Sequence, residues 1–312
     1  MLNLIRNENM KLYRRPRTLL MIGLMIAAVL LLSIMEWYYD ESRGGVWQDA
    51  VMLKKQHYEM QLQAPNFNEE QKDYFRKQIL RLDYHLQHNI HTEEGTMWDG
   101  TMSAAEMVVL ITLFTVIVAG DSMAGEFSTG TIKLLLIRPA RRLKIMASKY
   151  IAMIQFGLLL LVLLFVISVL TNGLLYGFED LDLPLLDFDA SGQIVEKNMF
   201  ATLWQTYLLN GVATIMYVTM AFMISTVFRS SSLAIGFSIF ALFASMMLLE
   251  VLQPYAWSKY LLLANLDLTQ YFHGKPYQEG MTLTFSVMML LVYYLLFNLT
   301  SWLVFTRRDV AA

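Results

Sequence analysis

Six apolar runs, each close to the roughly 20 residues that carry a helix across a bilayer, dominate this chain at 18–39, 102–120, 150–176, 203–228, 233–252 and 282–305. A soluble core of this size does not need so many unbroken runs. The expected fold is an all-α polytopic membrane protein, because backbone in lipid must satisfy its hydrogen bonds within each helix. The first run follows basic residues, as a signal peptide would. It is too long for one and no small-residue cleavage site follows, so it is read as an uncleaved span. The 312 residues include no cysteine, which excludes disulfides and thiolate metal sites.

The net charge of −2 conceals an asymmetry along the chain. Residues 1–17, the loop 121–149, the turn after the fourth run and the C-terminus together hold 14 Lys or Arg against 4 acidic residues. The segments 40–101, 177–202 and 253–281 hold 10 against 19. Basic residues near span ends resist translocation. Six spans with both termini cytoplasmic, in the cell membrane, are therefore expected.

Each segment between the runs carries its own signal. Residues 1–17 place Leu2, Ile5 and Leu12 among Arg6, Lys11, Arg14, Arg15 and Arg17, the pattern of a helix lying in the membrane interface. Pro16 marks its break from the first span. Within 40–101, an expected external helical hairpin, Trp47, Val51, Tyr58 and Leu62 form one stripe that ends at Pro65. Phe75, Ile79, Leu82 and Leu86 form a second, with Asn68 expected as its N-cap. His57, His85, His88 and His91 raise the question of a metal site, since imidazoles three apart can share a helix face. Without a carboxylate or cysteine framework they are read as solvated polar positions near a helix end. Residues 177–202 form an acidic external loop, and 253–281 read as an interfacial or re-entrant helix through Tyr260, Leu261, Leu263, Leu266 and Tyr271.

The sequence holds no GxxxxGK[ST] phosphate loop, no GxSxG and no HExxH, so no catalytic residues are assigned. Three carboxylates, Glu36, Glu106 and Glu250, fall within the runs toward their outer ends. Ionisable groups in a bilayer are functional candidates by default, and these are candidates for a substrate pathway. Near an interface the same carboxylates can also reach water and have no special role.

The loop between the second and third runs carries six Lys or Arg over Gly120 to Tyr150. Its residues Glu126, Gly130, Thr131, Lys133, Leu134, Leu135, Pro139, Arg141, Arg142 and Lys149 resemble the signature of ABC-2-type transporter permeases. There an acidic residue precedes Gly-Thr, followed by leucines, a proline, a basic pair and a lysine entering the next span. Phe127 stands where many members carry Arg. On physical grounds Thr129 or Thr131 could cap a short helix whose Leu134, Leu135 and Ile137 form an apolar knob stopped by Pro139.

The resemblance implies the membrane subunit of a bacterial ABC exporter. Its partners would be a separate cytoplasmic ABC ATPase and a second permease copy or a sister permease. It would bind no cofactor itself, with ATP and Mg on the ATPase, and no nucleic acid. Acidic outer segments and 22 Met residues suit an amphipathic or cationic cargo, such as an antimicrobial peptide or antibiotic. Sodium or a lipid-linked molecule is the alternative substrate. From another class, a membrane sensor or assembly factor would bind ligand at its hairpin and transport nothing.

Overall fold

The computed structural model describes residues 1–40, 46–64, 67–133, 141–189, 192–228, 230–273 and 276–307. Its helices are α1 (Leu2–Tyr13), α2 (Pro16–Tyr39), α3 (Trp47–Gln63), α4 (Glu69–His88), α5 (Met97–Glu106), α6 (Val108–Ser128), α7 (Arg142–Tyr176), α8 (Met199–Val227), α9 (Ser231–Leu252), α10 (Leu262–Leu266), α11 (Gln270–His273) and α12 (Leu283–Arg307). Among the described residues, five helical stretches are long and apolar enough to cross a membrane: α2, α5 continued by α6, α7, α8 and α12. The chain is thus a helical, multi-pass membrane protein. Pro16 opens α2 at its first helical position, where a missing N–H costs nothing.

The chain divides into two compact units. The first comprises Met1–Ile26, Met107–Leu164 and Thr206–Ala312. Here α6 packs along α9, and the absence of a side chain at Gly120 permits it: a Cβ there would lie 3.2 Å from the Ile235 Cα. Polar side chains join helices where apolar ones could give no direction. Thr112 and Thr214 hydroxyls meet at 2.8 Å, Tyr150 meets Thr219 at 2.7 Å, and the Ser225 hydroxyl accepts from the Met123 and Ala124 amides. Such bonds favour one helix register over its alternatives. Met123, Ile132, Met146, Phe222 and Phe305 form a buried cluster at the loop end of these helices.

The segment 253–281, expected as an interfacial or re-entrant helix, is in its described residues a 3₁₀ turn (Ala256–Tyr260) followed by the short α10 and α11. Polar side chains break the helix by taking over its backbone. The Asn265 amide donates to the Lys259 and Leu261 carbonyls while its oxygen accepts from Ser286, and the Gln278 amide caps the Gln253 and Tyr255 carbonyls.

The second unit comprises Ala27–Glu106 and Phe165–Gln205. Helices α3 and α4 pack antiparallel, with Tyr58 stacked on Phe75, Lys55 bound to Asp83 at 2.5 Å and Gln48 to Asn89. Asn68 caps α4 as expected, and Gln71 completes a reciprocal capping box. Asn89 ends the helix in the left-handed region at φ 53°. Pro65, expected to end α3, lies outside the described residues.

The acidic loop 177–202 is more ordered than the all-α reading allowed. It contains an antiparallel pair, β1 (Pro184–Phe188) and β2 (Ile194–Asn198), in register Leu186 to Glu196. Leu186 is buried, while Tyr84 donates to Glu196 at 3.0 Å and Arg81 stands over the Phe188 ring. Those contacts with α4 stabilise a hairpin too short to persist alone.

Candidate functional site

At the loop end of the first unit, charges from four parts of the chain converge. Glu8 and Lys11, three apart on α1, share a helix face and pair at 3.3 Å. The C-terminal turns of α6 supply Asp121 and Glu126, and the first turns of α7 supply Lys149. The Lys149 ammonium lies 3.0 Å from Glu8 Oε2 and 2.8 Å from Glu126 Oε1, and its side chain is only 4% exposed. A cation withdrawn this far from water requires charge partners. Here two carboxylates from two other helices provide them.

Asp121 forms the second knot. Arg15 and Arg17, on either side of Pro16 at the start of α2, both donate to its Oδ2, and Ser231 at the start of α9 donates to Oδ1. Gly125, one turn beyond Asp121, leaves the room: a Cβ there would lie 2.7 Å from Asp121 Oδ1. On the other side of the site, Asn9 donates to Gln155 at 2.7 Å. Helix α1 is thereby tied to α7 through Lys149 and Gln155, and the start of α2 to α6 and α9 through Asp121.

The motif residues now acquire local reasons. Gly130 has φ +72°, the left-handed conformation that ends helices and favours glycine. Thr131 turns its hydroxyl to Glu126 and its oxygen meets that of Thr129 at 3.0 Å. Ile132 is buried in the cluster with Met123 and Phe305, while Lys133 is exposed. Phe127 packs against the same cluster, which explains an aromatic at that position. Arg141 is exposed, and Arg142 donates to the Thr306 carbonyl at 3.3 Å. Leu134, Leu135, Ile137 and Pro139, the expected knob and its stop, lie outside the described residues.

Glu106 and Glu250 stand exposed on their helices, and Glu36 is partly buried. Glu36 and Glu106 fall in the second unit and Glu250 in the first.

The histidines part company. His57 meets Gln61 at 2.8 Å, His88 stacks on Tyr84, and His91 lies against Trp47. His85 corrects the reading of solvated positions: it is 1% exposed, with Nδ1 3.1 Å from the Ile90 carbonyl. Burial first of all pushes its imidazole pKa below the ordinary value, and nearby Arg81 acts the same way. The backbone bonds and Glu93 oppose them. Among the described residues no group of three His, Asp or Glu side chains is arranged to hold a metal.

Sequence reading missed Glu8, Asp121 and the two arginines as site residues, and took Lys149 only as part of a motif. The available signals were the Glu8/Lys11 spacing and a lysine isolated at the start of an apolar run.

The fold and this charged junction define a helical multi-pass membrane protein with an ion-paired hub where several spans end. Residues 67–311 match a family described as a protein of unknown function, DUF2705, and the chain belongs to that family. It is similar over its whole length to the whole of an "Uncharacterized protein YhcI" of Bacillus subtilis (strain 168), with 39% identity over 324 aligned positions. It also resembles an "Uncharacterized membrane protein YdbK" of the same organism, 29% identical over 205 residues, which cover 65% of this chain and 78% of that protein.

Proposed function

We propose that this chain is the membrane subunit of an ATP-driven exporter of the ABC-2 type. In this reading α9 is the sixth span. Its 22 residues give roughly 33 Å at 1.5 Å each, enough for a hydrocarbon core of about 30 Å. Both termini and the basic loop face the cytoplasm of a cell-membrane protein, and α3 and α4 form an external helical hairpin. A separate ABC ATPase, carrying ATP and Mg, docks on residues around Leu134 and Leu135. A second copy or a sister subunit completes the pathway, for which Glu36, Glu106 and Glu250 remain candidates. The cargo is an amphipathic or cationic compound, with a peptide or antibiotic favoured over sodium or a lipid-linked molecule.

One observation carries this reading. The residues of the resemblance that precede Leu134 are built as a stiff mount: Glu126 is bound to Lys149 and Thr131, Gly130 forms the turn, and Ile132 is anchored in the core. A lever transmits movement only if its attachment does not yield. Replacing Leu134 and Leu135 together by Asp should abolish co-purification with an ABC ATPase encoded beside this chain, while the variant remains folded in the membrane. Co-purification at undiminished yield would overturn the docking role.

The sensor alternative draws on the second unit, which buries its own core around Trp98, Val51, Leu82 and Leu186. Stimulation of the partner's ATP hydrolysis by a compound that is itself moved across the bilayer separates export from sensing.

A further inference from the structure

Beside the charged hub lies a cavity of about 640 Å³, walled by the junction of α1 and α2 on one side and the C-terminal turns of α6 on the other. It sits where two apolar stretches end, so it opens at a membrane boundary whichever way the protein faces. Lys11, Arg15 and Arg17 line it together with Asp121, Glu126 and the hydroxyls that follow.

Its chemistry is decided by which groups are already committed. Asp121 receives three donors, from Arg15, Arg17 and Ser231, and Glu126 receives Lys149 and Thr131. The hydroxyls of Ser128 and Thr129 donate back to the Gly125 carbonyl. The two guanidinium groups, by contrast, share a single carboxylate oxygen, and each has five N–H donors. Their side chains remain 42% and 40% exposed, and that of Lys11 is 37% exposed. Across the whole hub Lys11, Arg15, Arg17 and Lys149 outnumber Glu8, Asp121 and Glu126. A cation would find the carboxylates occupied, whereas an anion with several oxygens would find donors on three side chains.

We infer that this cavity binds a phosphate group, held by Lys11, Arg15 and Arg17. At this depth the natural bearer is the headgroup of an anionic phospholipid, bound as a discrete ligand in addition to the diffuse attraction of basic residues for the membrane surface. The inference does not rest on the transport reading, and its test involves neither an ATPase nor a cargo.

The full chain in phosphatidylcholine discs is melted with increasing phosphatidylglycerol, and separately with inorganic phosphate. A rise of the melting midpoint with phosphatidylglycerol alone identifies a lipid headgroup; a rise with inorganic phosphate as well identifies a free phosphate-bearing anion held by the same donors. Lys11→Gln, which leaves Asp121 and its partners untouched, should raise the phosphatidylglycerol fraction needed for half the effect about tenfold, the cost of one charge-assisted hydrogen bond. Arg17→Gln should do the same. Arg6→Gln removes an exposed cation from α1 that does not line the cavity, and should change it less than about twofold. No rise with either probe, or equal losses from Arg6→Gln and Lys11→Gln, would overturn the site.

Discussion

Lys149→Met is the most informative single perturbation of the hub. It removes the cation that Glu8 and Glu126 hold at 3.0 and 2.8 Å and leaves both carboxylates, each only 12% exposed, facing one another. Removing one partner of a buried ion pair costs about 3–5 kcal/mol, chiefly because the remaining charge is stranded out of water. At roughly 2–4 °C per kcal/mol for a domain of this scale, the midpoint should fall by about 6–20 °C. Scanning fluorimetry of the purified chain in detergent reads the change directly. A second variant isolates the cause: Glu8→Gln, Glu126→Gln and Lys149→Met together keep the shapes and remove the three charges of this buried triad, leaving Lys11, which is 37% exposed and can turn to water, so most of the lost midpoint should return. A Lys149→Met midpoint within about 1 °C of the parent, or a triple variant no better than the single one, would refute the argument that a buried charge network holds α1, α6 and α7 together.

Two further outcomes follow from the geometry. Gly120→Ala places a methyl 3.2 Å from the Ile235 Cα and 3.3 Å from its amide, backbone that cannot swing aside. It should cost about 1–3 kcal/mol in the same melting assay, whereas Gly236→Ala, with open space around the position, should be neutral or slightly stabilising; equal effects would show that α6 and α9 do not meet there. His85 folds as the neutral imidazole because burial lowers its pKa. Above its ordinary value of about 6.5 neither folded nor unfolded chain is protonated and stability is flat; as pH falls below it, the unfolded chain takes up a proton that the folded one resists, and stability is lost. Hydrogen exchange at the end of α4, corrected for intrinsic rates, should therefore show less protection at pH 5.5 than at 7.5, and His85→Gln should remove that difference; an unchanged difference in the variant would assign it to another group.

Much of the architecture could be read directly from residue order, because the thickness of a bilayer and the closure of helical hydrogen bonds are nearly independent of what a helix touches. Runs such as 18–39 and 282–305 announce helices by length alone, and Asn68 announces a helix start because capping involves neighbours three residues away. The site is a different matter. Lys149 pairs with residues 141 and 23 positions distant, and one carboxylate gathers Arg15, Arg17 and Ser231 from both ends of the unit. The β1–β2 pair and the burial of His85 likewise depend on contacts with Tyr84, Arg81 and the Ile90 carbonyl. The length of the apolar runs determined that helices cross a membrane; only the packing of those helices decided which charges lost their water, and a charge without water must find its opposite wherever the fold has brought one.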